Sequence, residues 1–141
     1  MRRLVVRAGA VVGAVVTSGC GLTGSPPSEP SAQAGQITLD GQTRETRSVE
    51  CSQIEWSLMI DAGAEPGRAH AYLRLGGQEP VVETVSIDDI GPVNGVAGGD
   101  LGKAEATLDD TIYTITGTVV GPDPANPGQS QTMPFEIKAP C

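Results

Sequence analysis

Apolar and polar residues alternate with a period of two in several stretches of this chain, the pattern of strands that bury one face. Ile54, Trp56, Leu58 and Ile60 share one parity, with Glu55, Ser57 and Asp61 on the other. Ala69, Ala71, Leu73 and Leu75 alternate with His70, Tyr72 and Arg74. Over 111–120, Tyr113, Ile115 and Val119 oppose Thr114, Thr116 and Thr118, and later Met133, Phe135 and Ile137 oppose Glu136 and Lys138. Ile37-Thr38-Leu39 runs into Asp40-Gly41, a pair that supplies the positive φ angles of a type I′ hairpin, and Val81 to Ile87 is a further strand. Gly76-Gly77, Gly91-Pro92, Gly98-Gly99 and the Gly121–Gly128 stretch punctuate the runs, and no segment carries a helical period of useful length. The pattern predicts an all-β domain over 36–141, a small antiparallel sandwich or partly closed barrel. Trp56, Leu58, Ile115 and Phe135 are its expected core.

The first residues follow another rule. Met1 to Arg7 carry three arginines, and Ala8 to Val16 follow as nine uncharged, mostly apolar residues. Nine is too few to cross a hydrocarbon core of ~30 Å, which takes roughly 20 helical residues, but it suits the apolar region of a signal peptide. The run then meets Val16-Thr17-Ser18-Gly19-Cys20. Small residues directly before such a Cys resemble the lipobox of bacterial lipoproteins, with Thr17 where that pattern usually has Leu. The resemblance implies cleavage after residue 19, with diacylglycerol on the Cys20 thiol. Two or more acyl chains hold a protein to a membrane durably. Residues 20–35 are then a lipidated Cys and a Pro/Ser/Gly-rich linker, flexible because it has too little apolar surface to offset ordering. Its reach is roughly 20 Å. Thr23, Ser25, Ser28 and Ser31 stand among prolines, a context that permits O-glycosylation.

Charge and cysteine count sharpen this reading. The 141 residues carry a formal charge of −8; losing Arg2, Arg3 and Arg7 leaves six basic against 17 acidic side chains, about −11. Such a surface repels nucleic-acid phosphates and anionic headgroups, so it argues against nucleic acid and against a basic docking patch. It suits a domain that stands off the bilayer. With Cys20 acylated, Cys51 and Cys141 remain as an even pair in a compartment that permits disulfides. Cys51 shares the parity of Val49, and Cys141 that of Met133, Phe135 and Ile137, so both thiols are expected on the apolar side. Bridging them closes roughly 90 residues and stabilises the fold by about 4–5 kcal/mol at most on the chain-entropy model.

Candidate chemistry is sparse. His70 is the single histidine; with Tyr72 and Arg74 it reads as a solvated surface residue. No G-x-S-x-G, H-E-x-x-H or P-loop occurs, and neither Cys51 nor Cys141 has a second Cys or His nearby for a metal. Asp88-Asp89 and Asp109-Asp110 lack calcium-loop spacing and read as turn and surface residues, and Asn94 and Asn126 as turn formers. The expectation is no catalytic residue, no metal and no cofactor. Four aromatic residues, Trp56, Tyr72, Tyr113 and Phe135, give little for a carbohydrate platform.

Several runs in order carry a more specific likeness: Ile37 to Gly41, Cys51, Val93-Asn94-Gly95-Val96, Tyr113 to Thr118, Asp123-Pro124-Ala125-Asn126-Pro127, and Phe135 to Lys138 with Cys141. Together with the lipobox, this order resembles the mycobacterial lipoprotein antigens of the LpqH type. The resemblance implies an envelope lipoprotein on the outer face of the cell membrane, with the cell wall or shedding as further destinations. It implies recognition by the host, the acylated N-terminus acting on Toll-like receptor 2, and a linker that in the family can be mannosylated. It carries over no catalytic residue. Three readings follow: a non-enzymatic surface antigen or interaction domain, a module that holds an envelope lipid or other apolar ligand, and an enzyme built around His70. A pocket of roughly 300 Å³ or more would favour the second.

Overall fold

The computed structural model describes residues 34–141. Ten strands follow in chain order: β1 Gln36–Leu39, β2 Gln42–Glu45, β3 Ser48–Ile54, β4 Ser57–Gly63, β5 Arg68–Arg74, β6 Val81–Ile90, β7 Val93–Gly98, β8 Lys103–Asp109, β9 Ile112–Pro122 and β10 Ser130–Pro140. Each pairs antiparallel, in one sheet ordered β2-β1-β10-β9-β7-β6-β5-β4-β3, with β8 on β9. The sheet curls into a half-barrel. The all-β, partly closed architecture read from the periodicity is the one observed.

Alternation decides the inner face. Leu58, Ile60 and Ala62 of β4 pair with Leu73, Ala71 and Ala69 of β5, and all six are buried. Ile37 and Leu39 of β1 sit opposite Ile137 and Phe135 of β10, and Ile115 and Val119 of β9 complete that side. Asp40-Gly41 closes the β1–β2 hairpin with φ of 49° and 83°, as its sequence predicts.

The stretch 54–60 differs from its predicted single strand. Glu55 and Trp56 form a two-residue turn, with Ile54 opposite Ser57 and Glu55 at φ 54°. Paired residues share a face, so a two-residue loop reverses the parity of one strand relative to the next. Leu58 and Ile60 therefore point inward, while Ile54 and Trp56 are 76% and 66% exposed. Trp56 is not part of the core.

The edge strands β2 and β3 are consecutive in the chain, and Thr46-Arg47 joins them. The Gly35 N–H donates to Thr46 Oγ1 (2.7 Å), the Thr46 N–H to the Gly35 carbonyl (2.9 Å), and the Arg47 N–H to the Gly63 carbonyl (2.7 Å). These bonds satisfy Thr46, the buried polar residue of the domain, and draw the curled edges towards one another. Cys51 of β3 and Cys141 beyond β10 stand at disulfide distance with Cα atoms 5.9 Å apart. The Cys141 N–H donates to the Thr111 carbonyl (2.7 Å), which fixes the last residue beside the β8–β9 turn.

Candidate functional site at the open end of the half-barrel

Four features meet at one end of the half-barrel: the Glu55-Trp56 turn, the β5–β6 loop 75–80, the Asp110-Thr111 turn between β8 and β9, and Cys141. The β5–β6 loop faces Thr107, Leu108 and Tyr113 across a groove of about 430 Å³. A second groove of about 300 Å³ runs from the Cys51–Cys141 pair past Gln53 and Leu58 to the same Leu108 and Tyr113. Tyr113 is buried and forms the floor that both share. Leu108 stands beside it on β8, opposite Tyr113 in register, and is exposed.

The rim is apolar. Trp56 accepts a backbone bond from the Leu75 N–H (2.7 Å), and its ring lies over Gly76, where an added Cβ would come within 3.1 Å of it. A side chain at 76 would displace the indole, so this glycine lets Trp56 lie along the loop. Val81 opens β6 opposite Arg74, and Ile112 opens β9; both are exposed. The sequence reading missed this rim. Its only signal was the placing of Val81, Leu108 and Ile112 at strand ends, where alternation no longer assigns a face.

The single histidine lies elsewhere, on the outer face of the sheet. His70 of β5 has Asp61 of β4 on one side and Ser86 of β6 on the other, an acid, imidazole and hydroxyl in one row. The contacts do not make a relay. His70 Nδ1 is 3.7 Å from Asp61 Oδ1, beyond hydrogen-bond range, and Arg68 donates twice to that carboxylate at 3.3 Å. The Ser86 hydroxyl turns to Asp88 Oδ2 (3.4 Å). His70 shares its face with Tyr72 and Arg74, as the alternation indicates.

Other residues singled out from the sequence do structural work. Asp109 and Ile112 close the β8–β9 hairpin around Asp110, which adopts φ 58°. Asn94 Oδ1 accepts from the Asp89 N–H (2.8 Å) and ties the irregular β6–β7 turn. In the β9–β10 loop, Asp123 accepts from Asn126 Nδ2 and from the Ala125 N–H, both at 2.9 Å. These two bonds, the Asn126 side chain first, favour the ionised form and hold the Asp123 carboxyl below its ordinary pKa. Among the described residues, no group of His, Cys, Asp and Glu is arranged to hold a metal. Cys20, Thr23, Ser25, Ser28 and Ser31 lie outside the described residues.

A half-barrel of antiparallel strands, with two cysteines brought together and exposed apolar residues at its open end, is the protein class this fold defines. The family model described as Mycobacterium 19 kDa lipoprotein antigen matches residues 28–141, and the chain belongs to this family. It is 35% identical to lipoprotein LpqH of Mycobacterium tuberculosis over 119 residues, covering 79% of this chain and 72% of the relative. It is 30% identical to LppE of the same organism over 131 residues, covering 92% and 93% of the two chains. A protein of Mycobacterium indicus pranii named as a lipoprotein is 32% identical over 143 residues and matches both chains end to end. These relatives carry the names of lipoproteins, and the family model that of a lipoprotein antigen. The lipoprotein class places the chain at a membrane or cell envelope.

Proposed function

We propose that residues 1–19 are removed on export, that diacylglycerol on Cys20 holds the chain to the outer face of the cell membrane, and that residues 20–35 tether a non-enzymatic domain, 36–141. In this reading the domain is a surface antigen or interaction module, and the acylated N-terminus engages a host pattern-recognition receptor. The observation that carries the proposal is the Cys51–Cys141 pair at disulfide distance, which accounts for two of the three cysteines and leaves Cys20, directly after Ser18-Gly19, for the lipid. The family match supports the same assignment.

The test is Cys20→Ala expressed in a mycobacterial host. The variant is expected either as uncleaved precursor or in the medium. Recovery of mature-mass variant in the membrane fraction overturns the proposal.

The 430 Å³ groove reaches the size of a small-ligand site, which favours the apolar-ligand reading on volume. Its walls oppose that reading: Gln78, Glu79 and Thr107 line it, and the space between the curled strands is filled by side chains such as Ile60, Leu73 and Phe135. Native mass spectrometry of the protein from its own envelope decides the matter, since a co-purifying lipid of defined mass would restore the ligand module.

A further inference from the structure

The exposed apolar side chains are unevenly placed. Ile54 and Trp56 lie at the β3–β4 turn, Val81 at the start of β6, and Leu108 and Ile112 flank the β8–β9 turn. These five belong to the open end, whereas Met59, Tyr72 and Val96 lie on the outer face of the sheet and Leu101 in the β7–β8 loop. The opposite end is formed by 64–67, 91–92 and 123–129, with Glu65, Asp123 and Asn126 among its residues, and it shows no exposed large apolar side chain among the described residues. Large apolar side chains gathered at one end of a domain, where the other end has none, mark a contact surface.

The start of the described chain identifies the contact. Ala34 and Gln36 line a shallow pocket with Ile112 and Pro140, so the chain enters the domain at the apolar end. Thirteen residues, 21–33, separate Cys20 from the described domain, and a Pro/Ser/Gly-rich sequence of that length has a reach of roughly 20 Å. An anchor on Cys20 therefore holds the domain near the bilayer with the rim on the side of the tether. The rim's chemistry suits that surface, because Trp has an apolar body and a polar N–H and is enriched where hydrocarbon meets headgroups. Glu55, Glu79, Asp109 and Asp110 border the rim and disfavour anionic lipid. The net negative charge that argues for a domain standing off the membrane acts on anionic headgroups, whereas apolar burial acts at contact.

We propose that the open end is a second membrane contact, in which Trp56, Ile54 and Leu108 rest in the headgroup region of a zwitterionic bilayer and fix the orientation of the anchored domain. The proposal rests on the lipid anchor at Cys20 and adds a docked face to it.

Trp56 is the single tryptophan, so its fluorescence reports this face alone. The experiment uses the full lipidated chain from a mycobacterial host, reconstituted in phosphatidylcholine vesicles and in vesicles with brominated acyl chains. Flotation reads the anchor, and quenching reads the face. The expected result is co-flotation, quenching of Trp56 by brominated lipid, and loss of access to aqueous acrylamide. Ile54→Ser, at an exposed position that leaves the core intact, should lower the docked-to-free ratio about tenfold, while Val96→Ser on the outer sheet face leaves it unchanged. Co-flotation with Trp56 open to acrylamide and untouched by brominated lipid overturns the docked face and leaves the anchor standing. Absence from the floated fraction overturns the anchor and the docked face with it. Shielding from acrylamide without lipid quenching, lost on dilution of protein among vesicles, assigns the end to a second copy and overturns the membrane contact.

Discussion

Gly117 shows how one residue fixes how closely two paired strands approach. Its φ is 153°, and a Cβ there would press on the Lys103 carbonyl of β8. Gly117→Ala is expected to cost about 1–3 kcal/mol, because backbone on both strands must shift, and urea denaturation measures it. The same residue sits in the Tyr113–Thr118 run that carries the family likeness, so that part of the motif has a steric origin. Asp123 is a second case. Its folded pKa is lowered, so its contribution is present above the unfolded value and is lost as pH falls through the folded value. An NMR titration is expected to show the Asp123 carboxyl protonating at lower pH than in Asn126→Ala, which removes the larger cause of the shift. Equal midpoints would refute this.

The elements divide by whether alternation alone could place them. β5, β9 and β10 were legible because their apolar residues hold one parity across seven or more residues, and the buried face follows that parity. β2, β7 and β8 were not, since Gln42–Glu45 is polar throughout, Val93–Gly98 is short and rich in glycine, and Lys103–Asp109 mixes small and charged residues. Those strands form because neighbours offer them hydrogen-bond partners. The 54–60 stretch shows the opposite error, a run of correct parity crossing an unmarked turn. Trp56→Ser is therefore expected to change folding stability by less than about 1 kcal/mol, whereas Phe135→Ala, in the core, costs about 3–5 kcal/mol. Thermal or denaturant unfolding of the two variants checks the contrast. A large loss at Trp56 would return it to the core.

At the scale of the molecule, the cysteine pair connects the far edge strand β3 to the end of β10 across 90 residues of sequence. Reduction is expected to lower stability by up to about 4–5 kcal/mol on the chain-entropy model, read as the shift in denaturation midpoint with and without reductant. The oxidised protein should show no free thiol on Cys51 or Cys141, and labelling of both under non-reducing conditions would remove the bridge. The open end also belongs to this scale, since its rim draws on β3, β6, β8 and β9, strands that stand apart in sequence.

By itself the sequence determined the all-β class, the inward residues of its longest strands, the Asp40-Gly41 turn and the membership suggested by its motifs, because each depends on local parity, turn chemistry or residue order. The tertiary structure decided the order of the strands, the outward turn of Trp56 and the gathering of apolar strand ends on the side where the chain enters. Those depend on pairing between distant segments, and a period of two assigns faces to a strand but neither its neighbours nor its ends.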